Sequence, residues 1–195
     1  MVYSIIGSGK VGSALARQFT RNGIAVGIAN TRGPHSIAAL TAELGENVTA
    51  MTLQDALKAD IVILAVPFRA HRAVAAAATS WLGKIVIDAM NTYGVAPEEL
   101  QGKASSEVVA SAFPGARLVK TFNQLPAKLL AMSPAENGGH RVMFVSSNDA
   151  EASTSIVKLV DKLGFAPIAL GKINEGGALL GLGGPLILQN LIKYG

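Results

Sequence analysis

The chain has no cysteine, so neither a disulfide framework nor a thiolate-held metal is open to it. Its three histidines, His35, His71 and His140, are scattered, no H-E-x-x-H run occurs, and no acidic pair stands at metal-ligand spacing. No bound metal is therefore expected. The serines lack the G-x-S-x-G turn of a nucleophile elbow, and no acid/base constellation stands out. Aromatic residues make up only 5%, and the lysines and arginines behind the net charge of +4 are spread along the chain. That pattern suits a binder of small anions better than a basic, stacking nucleic-acid surface. No apolar run reaches membrane-spanning length, and Met1 leads straight into an apolar strand without a cationic leader. The expectation is a cytoplasmic protein with neither membrane nor nucleic-acid partners.

The 195 residues are 50% hydrophobic and 15% charged, enough for one α/β domain with a substantial core. The apolar run Val2-Tyr3-Ser4-Ile5-Ile6 ends in Gly7-Ser8-Gly9-Lys10-Val11-Gly12, which opens into Ser13-Ala14-Leu15-Ala16-Arg17-Gln18-Phe19. A G-x-G-x-x-G between a strand and an amphipathic helix is the dinucleotide-binding fingerprint in its required context. Gly7 permits the tight turn, Gly9 lets the backbone approach a pyrophosphate, and Gly12 lets helix and sheet pack closely. The free amides and dipole of the helix start attract the phosphate charge.

The second strand, Ile24 to Ala29, leads to Asn30, where an NAD-binding chain usually carries Asp or Glu for the ribose 2′-hydroxyl. Here Asn30-Thr31-Arg32-Gly33-Pro34-His35-Ser36 supplies donors and one guanidinium, which would hold a 2′-phosphate that an acid would repel. NADP(H) is the cofactor this pattern predicts.

Further on, strand and helix alternate. We read a helix over Ser36–Leu44 stopped by Gly45, a strand over Val48–Met51, a short helix from the N-cap Thr52, and a buried strand over Asp60–Val66 ended by Pro67. An alanine-rich helix is predicted over Ala70–Trp81, a fifth strand over Lys84–Asp88, a helix over Ser105–Ala112 and a sixth strand over Arg117–Thr121. A seventh strand over Arg141–Val145, a helix over Asp149–Leu163 and a strand over Phe165–Ala169 complete the pattern. The fold class is α/β, a Rossmann-type doubly wound, mostly parallel sheet with helices on both faces. It forms a single domain with a dinucleotide-binding core over residues 1–122. Residues 123–195 form a short C-terminal βαβ extension supplying acceptor-site and dimer contacts.

Ligands on such a sheet sit beyond the carboxyl ends of the strands, near the point where strand order reverses. Besides the glycine loop and Asn30 to Arg32, the candidate cofactor contacts are Val66, Pro67 and Phe68 after the fourth strand, with the Phe68 ring offered to a ribose or nicotinamide. Asn91, after the fifth, is a further contact. Asp88 either orders the nicotinamide end or caps the following turn. Asn91, Asn123, Pro126 and His140 are acceptor-pocket candidates, with Thr121 on the same wall.

These runs, with Asn30-Thr31-Arg32-Gly33-Pro34, Ala65-Val66-Pro67-Phe68, Val86-Ile87-Asp88-Ala89-Met90-Asn91 and Val119-Lys120-Thr121-Phe122-Asn123-Gln124-Leu125-Pro126-Ala127, resemble the coenzyme F420-dependent NADP oxidoreductases over nearly the whole chain. They are also similar to the reductase domain of STEAP-type metalloreductases. The resemblance implies NADP(H) and a (deaza)flavin held face to face, with coenzyme F420, FMN or FAD as the small-molecule acceptor and hydride passing directly between the rings. The missing acid/base residues agree with such chemistry, which needs positioning more than proton transfer. They also fit a non-catalytic NADP(H) sensor. Hydroxyacid dehydrogenases and imine reductases share the N-terminal pattern but follow it with a large helical domain, for which residues 123–195 leave no room.

The segment Gly171–Leu186 is glycine-rich yet apolar, so it is expected to pack over the cofactor cleft or against the mate in a homodimer.

Overall fold

Ile61-Val62-Ile63-Leu64 has no polar face, and such a strand is stable only with both sides covered. In the computed structural model, which describes residues 1–195, it lies fully buried in the middle of a ten-stranded sheet. Strands β1 (Tyr3–Ile6), β2 (Val26–Ala29), β3 (Val48–Ala50), β4 (Ile61–Leu64), β5 (Ile85–Asp88) and β6 (Arg117–Lys120) run parallel in the order β3-β2-β1-β4-β5-β6. The chain winds outward from β1 to β3, then crosses back to β4, so the order reverses between β1 and β4. The period of two in the strands separates two cores. Ile5, Ile63, Ile87 and Val119 join a large cluster on one face, while Ile6, Val62, Leu64 and Val86 join a second cluster on the other.

Helices α1 (Lys10–Arg21) and α2 (Ala38–Leu44) contribute to the first cluster; α3 (Leu53–Ala56), α4 (His71–Ala76) and α5 (Ser105–Ala112) contribute to the second. The local signals act as expected at several ends. The Thr52 hydroxyl accepts from the Asp55 amide at 3.1 Å, and α2 stops at Gly45 with φ 80°. Helix α4 is shorter than the alanine run suggested, ending at Ala76 rather than at Trp81. Trp81 folds back instead, its indole N–H donating to the Ala75 carbonyl at 2.9 Å and its ring meeting Phe113 edge-on. Burying that ring outweighs continuing a weakly amphipathic helix.

Beyond β6 the chain forms α6 (Ala127–Ala131), β7 (Ala135–Glu136), β8 (Gly139–Ser147), α7 (Ala150–Lys162), β9 (Ala166–Ala169) and β10 (Ile192–Lys193). Strand β8 is the hub: antiparallel to β6, β7 and β10, and parallel to β9, so β8-α7-β9 forms the βαβ unit of the C-terminal segment. Strand β7 is absent from the predicted pattern, although Asn137-Gly138, with φ of 51° and 83°, forms the two-residue turn that Asn-Gly prefers. Helix α6 is absent from it as well. It is held to α1 by Gln18, whose Nε2 donates to the Met132 carbonyl at 2.6 Å, a contact no local pattern announces. No helix is long and apolar enough to cross a membrane.

Candidate active site

At the strand-order reversal, Gly7 leaves β1 with φ 114°, and a Cβ there would overlap the carbonyl that follows β4 at Ala65. A Cβ on Gly12 would overlap the Gly7 carbonyl, so α1 reaches the sheet only with glycine at that point. Gly9 differs: its φ is −76°, and nothing lies within 4 Å of where its Cβ would stand. It N-caps α1 without a side-chain hydrogen bond, and the first turn carries no acid. The first-turn amides and the positive end of the dipole are left for an anion.

A cleft of about 480 Å³ opens here, lined by Ile6–Gly9 from the first strand end, Asn30–Arg32 from the second and Ala65–Pro67 from the fourth, over Leu53, Ala70, Ala73 and Val74. Gly7, Ser8, Gly9, Asn30, Thr31, Arg32, Val66 and Pro67 thus come together as anticipated. Lys10, Val11 and Gly12 do not line it; Lys10 is exposed at the start of α1, and Gly12 acts through packing. Phe68 is a correction. Its ring turns into the second core cluster and packs on His71 at 4.9 Å, because the short helical turn Phe68–Ala70 after Pro67 points it inward.

Arg32 is the sole charged residue of the cleft lining, and its guanidinium is in no ion pair or hydrogen bond within the chain. Asn30 has a more structural part than its position suggested. Its Nδ2 donates to Ser8 Oγ at 2.7 Å and Ser36 Oγ at 2.9 Å, and its Oδ1 accepts from the Arg32 amide at 2.9 Å. The amide group is occupied in tying the β2 turn to the glycine loop, which fixes the backbone that carries Arg32.

The ends of β5 and β6 form a second polar locus. Asn91 Nδ2 donates to the Asn123 carbonyl at 2.9 Å, and Asn123 Nδ2 donates to Asn91 Oδ1 at 2.9 Å and to the Leu180 carbonyl at 2.7 Å. Thr121 Oγ1 and Asn123 Oδ1 are buried without partners, and Phe122 between them has φ 62°. A bulky residue in that region is strained, and strain of this kind clusters at functional sites. Pro126 is exposed at the start of α6 and pairs with neither asparagine. His140 is corrected outright: at the start of β8, its Nδ1 bonds the Gly164 carbonyl at 2.7 Å, and it lines a different hollow with Phe165, Pro167 and Tyr194. Arg141, early in β8, is buried and binds Glu136 and Asn190.

The pairing of Asp88 with Lys120 is not announced by the local sequence. Both are buried, with Lys120 Nζ 3.2 Å from Asp88 Oδ2 and donating to the Met90 carbonyl at 2.6 Å. Asp88 also accepts from the Met90 amide at 3.0 Å and Ser106 Oγ at 2.8 Å, so it caps the turn after β5. Burial pushes the Lys120 ammonium below its ordinary lysine value, and Asp88 opposes that shift. Opposite charges ending Ile85–Asp88 and Arg117–Lys120 were the available signal, but only the pairing of β5 with β6 joins them. No group of three or more His, Asp or Glu residues gathers at metal-binding geometry.

Several known proteins are similar to this chain in sequence and fold. The crystal structure of a hypothetical protein, SMa0349 from Sinorhizobium meliloti, is 43% identical with a TM-score of 0.94, covering 99% of this chain and 96% of that one. A provisionally assigned F420-dependent NADP-reductase from Arthrobacter sp. FB24 is 28% identical with a TM-score of 0.76, covering 92% and 90% respectively. The rat metalloreductase STEAP3 is 30% identical over 172 residues, 87% of this chain but 33% of the relative, so the chain spans about a third of that protein's length. Residues 2–92, which carry the glycine turn, Arg32 and the end of β4, match the family model described as NADP oxidoreductase, coenzyme F420-dependent.

Proposed function

We propose that this oxidoreductase passes a hydride directly between NADPH and a flavin or deazaflavin acceptor, coenzyme F420, FMN or FAD. The observation that carries the nucleotide half is the cleft itself, whose glycine turn leaves Gly9 open beside the capless start of α1 and whose sole charged lining residue is Arg32. A 2′-phosphate suits that guanidinium, and no carboxylate lines the cleft to receive a free 2′-hydroxyl. Sheet order then orients the reading. Arg32 follows β2, on one side of the reversal, and Asn91 and Asn123 follow β5 and β6 on the other, so the nicotinamide and the acceptor belong toward the asparagines. The nicotinamide supplies the hydride when the nucleotide is bound. The chain's residues hold and align the partners and keep water out, in agreement with a lining that has no titratable group except Arg32.

Arg32→Ala is expected to weaken NADPH by about 1.5–3 kcal/mol, the range for a hydrogen bond to a charged group, and to leave NADH nearly unchanged. Calorimetric titration of both nucleotides measures this, and equal losses would remove the 2′-phosphate assignment. Oxidation of NADPH by the purified protein with F420, FMN and FAD in turn tests the reaction. The same bare lining also suits a sensor that binds NADP(H) without chemistry; tight binding with no oxidation by any acceptor would favour it.

We further infer a homodimer built on the C-terminal segment, where Leu179, Leu182, Leu188, Leu191 and Tyr194 are exposed. A second copy would cover them. Sedimentation should give twice the chain mass, reverting to a monomer in Leu182→Glu/Leu188→Glu. A monomeric wild type would refute the dimer.

A further inference from the structure

The Asp88–Lys120 pair has no evident reason to exist for stability. Burying two charges costs several kcal/mol per ion, and replacing such a pair with apolar residues is often neutral or stabilising. Its connections explain it better. The backbone of Met90 is held on both sides, its N–H donating to Asp88 at 3.0 Å and its carbonyl accepting from Lys120 at 2.6 Å. The next residue is Asn91, which exchanges two amide hydrogen bonds with Asn123. Asn123 stands three positions after Lys120, beyond the strained Phe122. The contacts close a ring from Lys120 through Met90, Asn91 and Asn123 back along the chain to Lys120. Ser106 fastens it from behind, bonding Asp88 Oδ2 at 2.8 Å. Lys120 Nζ is already taken up by Asp88 Oδ2 and the Met90 carbonyl, so its part is within the protein.

We propose that Lys120, fixed by Asp88, is a positioning residue that sets the Asn91–Asn123 amide pair against the nicotinamide end of the cofactor. The inference rests on the hydride-transfer reading for its kinetic consequence, but not for its structural one. The ammonium pins the Met90 carbonyl, which fixes the backbone leading into Asn91. The amide pair then offers Asn123 Oδ1, buried and without a partner, as an acceptor for a carboxamide N–H. Replacing the ammonium with an apolar chain frees the Met90 carbonyl and lets the amide pair drift. Misplacement of about 1 Å costs on the order of a hundredfold in rate.

The test uses the full chain as wild type, Asn91→Ala, and the charge-free double variant Asp88→Asn/Lys120→Met, which avoids stranding one buried charge. The side-chain amide signals of Asn91 and Asn123 are followed by NMR on adding NADP⁺ or 2′-phospho-ADP-ribose, which lacks the nicotinamide. In the wild type these signals should move with NADP⁺ and not with the truncated nucleotide; in the double variant they should not move with either. Turnover in the double variant should fall by about a hundredfold at unchanged KM for NADPH, and adding Asn91→Ala to it should lower the rate no further. Wild-type amide signals that ignore NADP⁺ overturn the proposal, whatever the variants do. A folded double variant with wild-type signals and rate overturns it as well. If the wild type reduces no acceptor yet its amide signals respond as described, the positioning stands and the hydride-transfer reading falls.

Discussion

Gly9→Ala is expected to leave the protein folded with an unchanged melting temperature and to lose NADPH affinity by about a hundredfold, whereas Gly7→Ala and Gly12→Ala lose the fold before they lose the ligand. The three glycines of one motif divide in this way because their surroundings differ. A methyl on Gly9 meets nothing in the protein and intrudes only where a pyrophosphate would lie against the amides of α1. The affinity figure corresponds to losing one or two charge-assisted hydrogen bonds, about 3 kcal/mol. A methyl on Gly7 overlaps the Ala65 carbonyl and must adopt φ 114°, while one on Gly12 overlaps the Gly7 carbonyl. Both obstacles are backbone, which no rotamer change relieves. Overpacking against backbone costs about 1–3 kcal/mol at either position, and the strained φ adds about 1–3 kcal/mol at Gly7, a large part of the stability of an ordinary domain. Thermal melts with calorimetric NADPH titration of the three variants check the division. A Gly9→Ala protein that binds normally would remove the phosphate from the glycine loop.

Deleting residues 176–195 is expected to abolish both NADPH binding and turnover, because the shortened chain does not hold its fold around β8. The sequence by itself suggested a segment packed over the cofactor cleft or against a dimer mate. In the structure Leu180 is fully buried against Val142 and Phe144, and Ile187 is also buried. The Leu188 amide donates to the Gln124 carbonyl at 2.8 Å, Gln124 Nε2 donates to the Gln189 carbonyl at 2.9 Å, and Asn190 accepts from the buried Arg141. Strand β10 completes the edge of β8. The two apolar side chains contribute about 1.5–3 kcal/mol each, and stranding the polar groups of Gln124 and Arg141 costs about 1–3 kcal/mol apiece. That total reaches the whole stability of a domain. Circular dichroism and NADPH titration of the shortened chain decide the matter. Retention of the wild-type melting temperature would show the segment to be a detachable cover.

What the sequence determined by itself is whatever depends on neighbours along the chain. The period of two in the apolar strands, the glycine turn between β1 and α1, the missing acid before Arg32 and the stop at Gly45 act within a few residues. They sufficed for the α/β class and a mostly parallel sheet, and they named Gly9, Arg32 and Val66, which the fold brings to one cleft. The Asn-Gly turn before β8 was equally local and went unread. Only the tertiary structure decided what depends on partners distant in sequence. Phe68 and Trp81 turn inward because hydrophobic surface is waiting there. His140 stands away from the asparagines because β8 runs antiparallel to β6 and carries its own start off to another hollow. Asp88 finds Lys120, Asn91 finds Asn123 and Asn123 finds Leu180 across strand ends and a returning tail. A buried polar group takes whichever partner the packed chain brings within hydrogen-bond reach, and that choice is made by the sheet and not by the residue's neighbours in sequence.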